Sequence, residues 1–508
     1  MQVNLFGSAL HHQIKGELDL IDKDWNIPPE YPDLTGYKDV AVDLETYDPN
    51  IKTLGPGWAR KDGHIIGIAV AAGEYKGYFP IRHENAHNLD PKFTLKWLKK
   101  QMAVPDMNVI MHNATYDAGW MRAEGIEIQG RIIDTMITGA LVDENRWSFG
   151  LDAMARDFVQ LRKDEKLLQA AAKEWGVDPK AEMWKLPAMY VGKYAEKDAE
   201  LTFKLWNRFK HEIREQDLQN VFDLEKEIFP CLVDMKFKGV RVDVEKANQT
   251  KNELATKEKQ ILQNLKKETG IDVEIWAAAS IAKLFDKLKL PYDRTEKSKE
   301  PSFTKNFLQN HPHELPKAIA EARELNKAHS TFIDSITKHS VNGRIHADIN
   351  QIRSDAGGTV TGRFSMSNPN LQQIPARHPE LGPMIRSIFI PEGNHKWGSF
   401  DYSQQEPRIL VHYAKLQNLT GVDEIVDAYN AGDADFHQVV ADMAGIERKQ
   451  AKTINLGLMY GMGKNKLMAE LGLMKESAEK LIRQYHSKAP FVKQLMDNVS
   501  RKANDRGK

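Results

Sequence analysis

Residues 40–46, VAVDLET, decide the fold of the first part of the chain. Apolar and acidic side chains alternate, which predicts a β-strand with Val42 and Leu44 on one face and Asp43 and Glu45 on the other. Two carboxylates on one face repel each other unless a cation lies between them, and Mg²⁺ takes oxygen ligands of this kind. The D-x-E triplet alone is also explained by an exposed strand end.

The segments around this strand alternate between strand-like and helix-like patterns. Such alternation predicts an α/β domain with a covered sheet, preceded by an extended Pro- and Gly-rich stretch at 26–36. The predicted strands are 64–72 and 108–113, and the predicted helices are 93–102 and 193–209.

Two later segments of this region add polar residues to the pair of carboxylates. HNATYD (112–117) presents Asn113 and Asp117, and KYAEKDAELT (193–202) places Tyr194 and Asp198 four residues apart, on one helix face. Carboxylates that hold two metals can activate a water and stabilise a leaving oxygen in phosphodiester hydrolysis. In this hypothesis Tyr194 orients the attacking water.

These segments resemble the DEDD superfamily of 3′–5′ exonucleases, in the variant whose third motif contains tyrosine. The D-x-E, N-x-x-x-D and Y-x-x-x-D signatures occur in the family's order, and DTM (134–136) and SFGLDAMA (148–155) resemble its connecting segments. The resemblance implies an RNase H-like sheet and DNA binding at Asn113. It also implies five catalytic residues: Asp43, Glu45, Asp117, Tyr194 and Asp198. The four carboxylates among them are the implied metal ligands.

Composition sets wider limits. The 508 residues predict two to four domains, and 41% hydrophobic with 28% charged residues are typical of globular proteins. The single cysteine, Cys231, excludes a disulfide framework and suits a reducing compartment. No membrane span or secretory signal is visible, so a cytoplasmic location is expected. The zero net charge argues weakly against a nucleic-acid partner, although total charge hides its distribution.

Residues 210–340 are helical and rich in lysine. The segment 245–270 predicts an amphipathic helix with Leu254, Ile261 and Leu265 on its apolar face. A solvated helix face explains this pattern, and so does a helix that contacts DNA phosphates.

The last region contains a loop, a strand–turn–helix segment and a basic helix. Residues 359–375 predict a loop rich in Gly, Ser, Asn and Pro, and in 396–414 a strand-like run ends at Asp401 before a helix with Pro407 near its first turn. A carboxylate at such a strand end can hold a catalytic metal.

Four residues of the segment 447–463 recur every four positions and so share one helix face: Arg448, Lys452, Leu456 and Tyr460. Two cations one turn apart suit a triphosphate, and the aromatic can pack on a base. An ordinary basic helix edge with a core-facing tyrosine is the alternative.

Together these segments resemble DNA polymerase family A, the polymerase I type. TGRFS–S–PNLQQIP resembles its primer-template loop, DYSQQEPR its motif A, and R-K-x-x-K-x-x-N-x-G-x-x-Y-G its motif B helix. The segments 229–243 and 284–302 resemble parts of the thumb. The resemblance extends from about residue 37 onward, and its layout is phage-like.

The resemblance assigns roles residue by residue. It implies that Asp401 is the first polymerase metal ligand and that Glu406 screens the sugar 2′ position. The resemblance implies that eight residues bind the incoming nucleotide: Tyr402, Gln404, Glu406, His437, Arg448, Lys452, Leu456 and Tyr460. Residues implied in DNA binding by the primer-template loop are Arg363, Asn370 and Gln373.

The match fails at two places. Leu456 stands where the family usually has Phe or Tyr, which puts nucleotide discrimination in doubt. No His-Asp-Glu motif follows Gly463, so Asp401 lacks its expected carboxylate partner. Three explanations stay open: a truncated or interrupted sequence, a polymerase completed by a second polypeptide, or a chain that no longer polymerises. The intact residues at 401, 448, 452 and 460 favour the first two.

The sequence thus predicts an α/β and α+β multidomain protein, an RNase H-like exonuclease domain followed by an incomplete right-hand polymerase. The predicted divisions are a lead-in (1–36), an exonuclease domain (37–209) and a polymerase domain (210–508), with the thumb at about 225–340 and the palm and fingers at about 341–508.

The predicted function is primer extension with proofreading, using Mg²⁺ or Mn²⁺, primer-template DNA and deoxynucleoside triphosphates, with a processivity factor as a further partner. The alternatives are a 3′–5′ exonuclease whose second half only binds DNA, and a DNA-binding or assembly subunit inactive in both sites.

Overall fold

The segment that opens with VAVDLET forms the central strand of a five-stranded sheet in the computed structural model. The structure describes residues 25–505 except 85–87, 354–357, 377, 433–434, 436, 439–440, 443–445 and 472–473. The sheet has the order β3-β2-β1-β4-β5, in which β1 pairs antiparallel with β2 and parallel with β4. Its strands are β1 Asp39–Tyr47, β2 His64–Ala72, β3 Tyr75–Pro80, β4 Asn108–Met111 and β5 Arg131–Asp134.

The three predicted strands are all present, but the third is shorter than expected. It ends at Met111 because Asn113 has a left-handed backbone, with φ of 65°, which a strand cannot continue through. Strands β3 and β5 were not predicted. Strand β3 contains a glycine and a proline, which weaken a strand pattern, and β5 has only four residues.

The two faces of β1 are covered by different cores. Val40, Val42 and Leu44 pack into one cluster with Trp58 and Met111. Ala41, on the opposite face, packs into a second cluster, which includes buried residues of helix α7, Gly192–Glu215. Asp43 and Glu45 share the face of Ala41, so the acidic side of the strand is directed toward α7.

Helices cover both sides of the sheet. The predicted helix 93–102 corresponds to α2, and the predicted helix 193–209 corresponds to α7, which continues to Glu215. The helices of this part are α1 Ile51–Leu54, α2 Pro91–Met102, α3 Ala114–Ala123, α4 Thr135–Val142, α5 Leu151–Val159, α6 Lys166–Trp175 and α7 Gly192–Glu215, with 3₁₀ turns at Met183–Lys185 and Ala188–Tyr190.

The chain from 216 to 339 is mainly helical, as the sequence pattern of residues 210–340 predicted, and short strands and helical segments alternate from 340 to 397. The lysine-rich helix is α9, and it buries Leu254 and Leu265, with Ile261 partly buried. The helices are α8 Gln219–Lys238, α9 Val244–Thr269, α10 Ala278–Lys287, α11 Lys305–Gln309, α12 Glu314–Lys327, α13 Asp334–His339 and α14 Leu381–Arg386, with a π-helical turn at Ala328–Ile333 and a 3₁₀ turn at Leu371–Gln373. Short strands form three small sheets: β6 Val240–Arg241 with β9 Ser340–Val341 and β10 Arg344–Ile345, β7 Asp293–Arg294 with β8 Pro301–Ser302, and β11 Asp348–Asn350 with β12 Ser365–Ser367.

Helix α8 joins the large sheet to the hairpin β11–β12. Its Lys236 side chain is 2% exposed, forms an ion pair with Asp348, and lies 4.7 Å from the ring centroid of Trp58. Burial lowers the pKa of Lys236, and Asp348 opposes that shift. Asn368 Nδ2 in turn donates a hydrogen bond of 2.7 Å to Asp348 Oδ2. A single buried ammonium therefore connects three separate segments of residues 1–397, which form one compact unit.

Residues 398–508 form a second compact unit of helices around their own core. The predicted strand that ends at Asp401 is wrong, because residues 395–402 form no regular secondary structure and pair with no strand among the described residues. A strand persists only when a neighbouring strand takes its backbone hydrogen bonds, and no described strand pairs here. The helices of this unit are α15 Gln405–Leu416, α16 Asp423–Ala431, α17 Arg448–Met459, α18 Lys464–Leu471, α19 Lys475–Lys488 and α20 Pro490–Asp505.

None of the helices among the described residues has both the length and the apolar character that a bilayer crossing requires. The cytoplasmic location stays a prediction of the sequence.

A buried histidine gives the first unit a specific acid sensitivity. His83 is 3% exposed, its Nδ1 lies 2.8 Å from Leu186 O, and its Nε2 lies 2.6 Å from the Tyr78 hydroxyl. Burial lowers the pKa of His83 from 6.5 to about 4, so the folded chain keeps it neutral while the unfolded chain protonates it.

The stability contributed by His83 is complete above its unfolded pKa and is lost as pH falls toward the folded value. Between about pH 7 and about pH 5 we expect the free energy of unfolding of the wild type to fall by about 2 kcal/mol more than that of His83→Gln. Denaturant titration at each pH measures this difference. The exposed His211→Gln should follow the wild type, and equal slopes for wild type and His83→Gln would contradict the prediction.

Candidate active sites

The acidic face of β1 forms the base of the first candidate site. Asp43 and Glu45 are half-buried and two residues apart, so their carboxylates project to the same side. A β-bulge lies between Glu45 and Thr46, where the register with β2 shifts. Bulges commonly redirect side chains next to active sites.

Helix α3 brings the third carboxylate to this face. Asp117 is 4% exposed, and its Oδ1 accepts a hydrogen bond of 2.9 Å from the backbone N–H of Leu44. The bond ties the first turn of α3 to β1, between the two strand carboxylates. Asn113 precedes the helix in its left-handed conformation.

Helix α7 supplies the fourth carboxylate and the tyrosine. Tyr194 and Asp198 are 7% and 3% exposed, and one helical turn separates them on the side that packs against the sheet. Burial raises the pKa of Asp198, and the neighbouring Lys163 and Tyr194 side chains oppose that rise. The structure thus brings together the five residues that the sequence predicted for this site.

The four carboxylates perturb one another strongly. Burial, followed by the charge of Asp198, raises the pKa of Asp43 to about 7. Burial and neighbouring carboxylates also raise the pKa of Glu45 and of Asp117 well above their usual ranges, and burial raises that of Asp198. Such shifts mean that burial and mutual repulsion destabilise the charged forms, a cost that either a bound proton or a nearby cation removes.

Lys163 supplies a positive charge to this cluster. Its Nζ forms an ion pair with Asp198 Oδ2 and lies 3.4 Å from the Tyr194 hydroxyl. Burial lowers the pKa of Lys163, but the nearby carboxylates outweigh that effect and raise it. Lys163 therefore stays charged. It comes from the loop between α5 and α6 and was not predicted.

The donor set fits divalent metal ions in its chemistry. It offers only carboxylate oxygens, which Mg²⁺ and Mn²⁺ prefer, and Oδ1 of Asp198 is buried without a hydrogen-bond partner among the described residues. Within the same residues, no three acidic, histidine or cysteine side chains already form a metal-ligand group. The fit therefore rests on the chemistry of the donors and on the unpaired Asp198 oxygen.

Asp134, at the end of β5, supports the site from behind. Its carboxylate accepts hydrogen bonds from the backbone N–H groups of Asn113 (3.1 Å), Ala114 (2.8 Å), Met136 (2.7 Å) and Ile137 (3.4 Å). It thus caps α4 and fixes the start of α3, the helix that contains Asp117. Burial raises the pKa of Asp134 to about 6, although these four donors oppose the rise.

The second candidate site lies in the unit 398–508. Asp401 and Tyr402 are exposed in the irregular segment before α15, and Tyr402 keeps 80% of its surface accessible. Gln404 begins the helix with a left-handed backbone, and its Oε1 accepts a hydrogen bond of 3.2 Å from the Tyr429 hydroxyl. Glu406 lies in the first turn of the same helix.

Helix α17 presents the predicted basic face. Arg448 pairs with Asp435 at 2.6 Å, Lys452 is exposed, and Leu456 is half-buried beside the core of this unit. The helix ends at Met459, one residue before Tyr460, whose N–H still donates to Leu456 O at 3.0 Å. Tyr460 is 70% exposed, and its hydroxyl donates a hydrogen bond of 2.9 Å to Glu406 Oε1, which connects the two predicted motifs.

A buried polar chain lies behind this helix. His437 is 3% exposed, and its Nδ1 lies 3.1 Å from Nδ2 of Asn455, which is fully buried. Asn455 Oδ1 accepts a hydrogen bond of 3.0 Å from the Tyr485 hydroxyl. These hydrogen bonds fix the position of His437. The sequence did not predict this set of hydrogen bonds, although Asn455 belongs to the quoted motif.

The predicted DNA-binding residues of the loop 359–375 lie in the other unit. Arg363, Asn370 and Gln373 are all exposed. Asn370 caps the 3₁₀ turn that follows, because its Oδ1 accepts the N–H of Gln372 at 3.1 Å. The prediction of a loop throughout 359–375 is wrong in part, because strand β12 Ser365–Ser367 pairs with β11 and Leu371–Gln373 forms the 3₁₀ turn.

Comparison with known proteins gives the chain its relatives. A model of DNA polymerase family A matches residues 244–508, and a 3′–5′ exonuclease model matches residues 31–214. A DNA-directed DNA polymerase of Pseudomonas phage M6 is 39% identical over 477 residues, which cover 89% of this chain and 72% of that protein. The DNA polymerase DpoZ of Acinetobacter phage SH-Ab 15497 is 31% identical, with coverages of 87% and 73%.

Bacterial proteins are also similar. DNA polymerase I of Geobacillus stearothermophilus is 30% identical over 457 residues, which cover 87% of this chain and 49% of that protein. Among solved structures, the POL domain of Pol1 from M. smegmatis, in complex with a DNA primer-template and dNTP, has a TM-score of 0.72 at 22% identity and covers 93% of this chain and 77% of its own. That likeness shows a shared fold.

The role of Asp134 can be separated from simple helix capping. We expect Asp134→Ala to lower the free energy of unfolding by about 3 kcal/mol, because it leaves several buried N–H groups without an acceptor. Nuclease activity should also fall, since the start of α3 and its Asp117 lose their support. Denaturant unfolding and a nuclease assay measure the two effects.

The matched control is Asp90→Ala, which removes the exposed N-cap of α2 and its bond to the N–H of Phe93. It should cost about 1 kcal/mol and leave the nuclease rate unchanged. An Asp134→Ala chain with normal nuclease activity would show that Asp134 does not position the site.

Proposed function

The chain belongs to DNA polymerase family A and contains a 3′–5′ exonuclease domain, and on that basis we propose how its residues perform the two reactions. In the exonuclease site, Asp43, Glu45, Asp117 and Asp198 bind divalent cations and Tyr194 orients a water. In the polymerase site, Asp401 is a metal ligand and the residues of α15 and α17 bind the nucleotide. The substrate of the first site is the 3′ end of a DNA strand.

The observation that supports the exonuclease proposal is the convergence of four carboxylates from three segments on one face of β1, two of them half-buried and two buried. Mutual repulsion makes this arrangement costly, and it is tolerated only where a cation is part of the working state. Divalent cations bound there would act as Lewis acids and generate a nucleophile from water. Mg²⁺ is the proposed ion, with Mn²⁺ as its substitute.

The residues of the chain have separable tasks in hydrolysis. Burial and the neighbouring carboxylates raise the pKa of Tyr194 well above its usual range, so its phenol keeps the proton and donates a hydrogen bond instead of acting as a base. Tyr194 therefore holds and orients the attacking water. Asp117, bonded to the backbone of β1, keeps the distance between α3 and the strand carboxylates fixed.

In the polymerase site, the proposal assigns the incoming deoxynucleoside triphosphate to α17 and the primer-template to the exposed loop residues Arg363, Asn370 and Gln373. Arg448 is held by Asp435 and presents a fixed charge to the phosphates. Lys452 is exposed and presents a mobile one. The hydrogen bond between Tyr460 and Glu406 would connect the base-contacting aromatic to the residue that screens the sugar.

A second candidate function has one observation in its favour. Asp401 is exposed in a segment without regular secondary structure, outside any described sheet, which favours a nuclease whose second half only binds DNA. A second polypeptide that supplies a palm carboxylate and a processivity factor are further predictions of the sequence, and no comparison supports either one.

The exonuclease proposal predicts the effect of one substitution. A 5′-labelled primer annealed to a longer template should be shortened from its 3′ end by the wild-type chain with Mg²⁺ and without nucleotides. Asp43→Ala should reduce the rate at least about a hundredfold, because the metal site loses a ligand, while primer-template affinity stays unchanged. Denaturing gels and fluorescence anisotropy measure the two quantities. Undiminished cleavage by Asp43→Ala would refute the assignment.

The polymerase proposal is tested in an Asp43→Ala background, where degradation no longer hides synthesis. Addition of all four deoxynucleotides should extend the primer, and a further Asp401→Ala should abolish extension. Asp427→Ala, a change of the same charge on α16, is the matched control and should extend normally. If the Asp43→Ala chain itself fails to extend the primer, the alternative is favoured, in which the protein is a nuclease and its second half only binds DNA.

A further inference from the structure

Among the described residues, Lys163 is the one cationic side chain that contacts the carboxylate cluster. Its side chain is 16% exposed and that of Asp198 is 4% exposed, so the ion pair lies inside the protein. The ammonium also lies over the Tyr194 ring, 5.1 Å from its centroid. It therefore contacts both residues that α7 contributes to the site.

The backbone of Lys163 is anchored independently of its side chain. Its N–H donates a hydrogen bond of 3.0 Å to Oδ1 of Asp152, in the first turn of α5. The preceding turn is closed by Gln160, which has a left-handed backbone with φ of 57°. The loop thus fixes the Cα of Lys163, while its flexible four-carbon side chain can swing.

Charge balance gives this lysine a role. The four carboxylates around β1 have one ammonium among them, and that ammonium occupies Oδ2 of the carboxylate whose Oδ1 has no partner among the described residues. A divalent cation that binds Asp198 therefore competes with Lys163 for the same carboxylate. Two cations on the two oxygens of one buried carboxylate repel each other strongly.

We propose that Lys163 is a tethered counter-ion, which holds Asp198 in place when no divalent cation is bound and leaves the carboxylate when one binds. It is a positioning residue that sets how tightly the exonuclease site binds metal. The inference rests on the proposed metal-dependent nuclease.

Two measurable consequences follow from the exchange. A chain without this ammonium keeps Asp198 free for metal, so it binds the metal more tightly. The same chain has lost the only internal charge that offsets the cluster in the described structure, so it is less stable when metal-free. Stability and metal affinity should therefore change in opposite directions, which a purely structural lysine would not produce.

The test uses the full chain, with Mn²⁺ as the probe. Calorimetry measures Mn²⁺ binding to the wild type, Lys163→Met and Lys163→Arg, and a titration of Asp43→Ala gives the binding that occurs elsewhere in the chain. Lys166→Met is the matched control, because Lys166 is exposed only three residues away and its loss changes the net charge equally. Thermal unfolding of each metal-free chain is recorded in parallel.

We expect Lys163→Met to bind Mn²⁺ about tenfold more tightly and to unfold at a lower temperature without metal. Lys163→Arg and Lys166→Met should bind it as the wild type does. Should Lys163→Met fail to fold, Lys163→Gln takes its place, because its amide can still donate to Asp198.

A measurement on the wild type needs no substitution. Mn²⁺ should increase the rate at which an amine-acylating reagent modifies Lys163, relative to Lys166, because the exchange releases the buried ammonium. Mass spectrometry of the digested chain gives the two rates.

Three results would overturn the inference. Unchanged Mn²⁺ affinity in Lys163→Met, or an acylation rate of Lys163 that ignores Mn²⁺, would show that no exchange occurs, while the nuclease proposal would stand. If neither the wild type nor Lys163→Met binds more Mn²⁺ than Asp43→Ala does, the proposed metal-dependent nuclease is wrong. This inference then falls with it.

Discussion

The close approach of half-buried like charges on the central strand is the constraint on which the first unit depends. Strand β1 must be apolar to sit between two cores, yet it presents Asp43 and Glu45 on the face toward α7. A hydrogen-bond donor and a cation offset this cost. The backbone N–H of Leu44 in β1 donates to Asp117, and Lys163 places its ammonium against Asp198. Low dielectric makes each of these interactions strong and also makes each loss expensive.

Much of this site could be predicted from the sequence because its residues follow simple periods. Alternation placed Asp43 and Glu45 on one face, and a spacing of four placed Tyr194 and Asp198 on one helical side. Lys163 could not be found in this way, since it reaches the cluster from a loop and its neighbours in sequence give no periodic signal. Asp134 stands in a quoted motif, but its four backbone bonds arise only when β5, α3 and α4 meet.

In the second unit, local patterns predicted helices better than strands. The face of Arg448, Lys452 and Leu456 needs only hydrogen bonds within its own helix, so it formed as expected. The strand predicted to end at Asp401 needs a partner from elsewhere in the fold, and an apolar run cannot supply one. The chain His437–Asn455–Tyr485 was missed for a related reason, because it links residues from distant segments.

Helix α8 limits how far the nuclease can be treated as a module. It lies between the two matched family ranges, yet its Phe229 and Val233 are buried in the same core as β1, and Lys236 packs its ammonium on Trp58. A fragment cut after residue 214 would uncover that surface and forfeit about 3–6 kcal/mol of apolar burial. Recombination between relatives, in nature or in the laboratory, would keep a stable nuclease only where the crossover falls beyond Lys238, so α8 is inherited with the domain that precedes it.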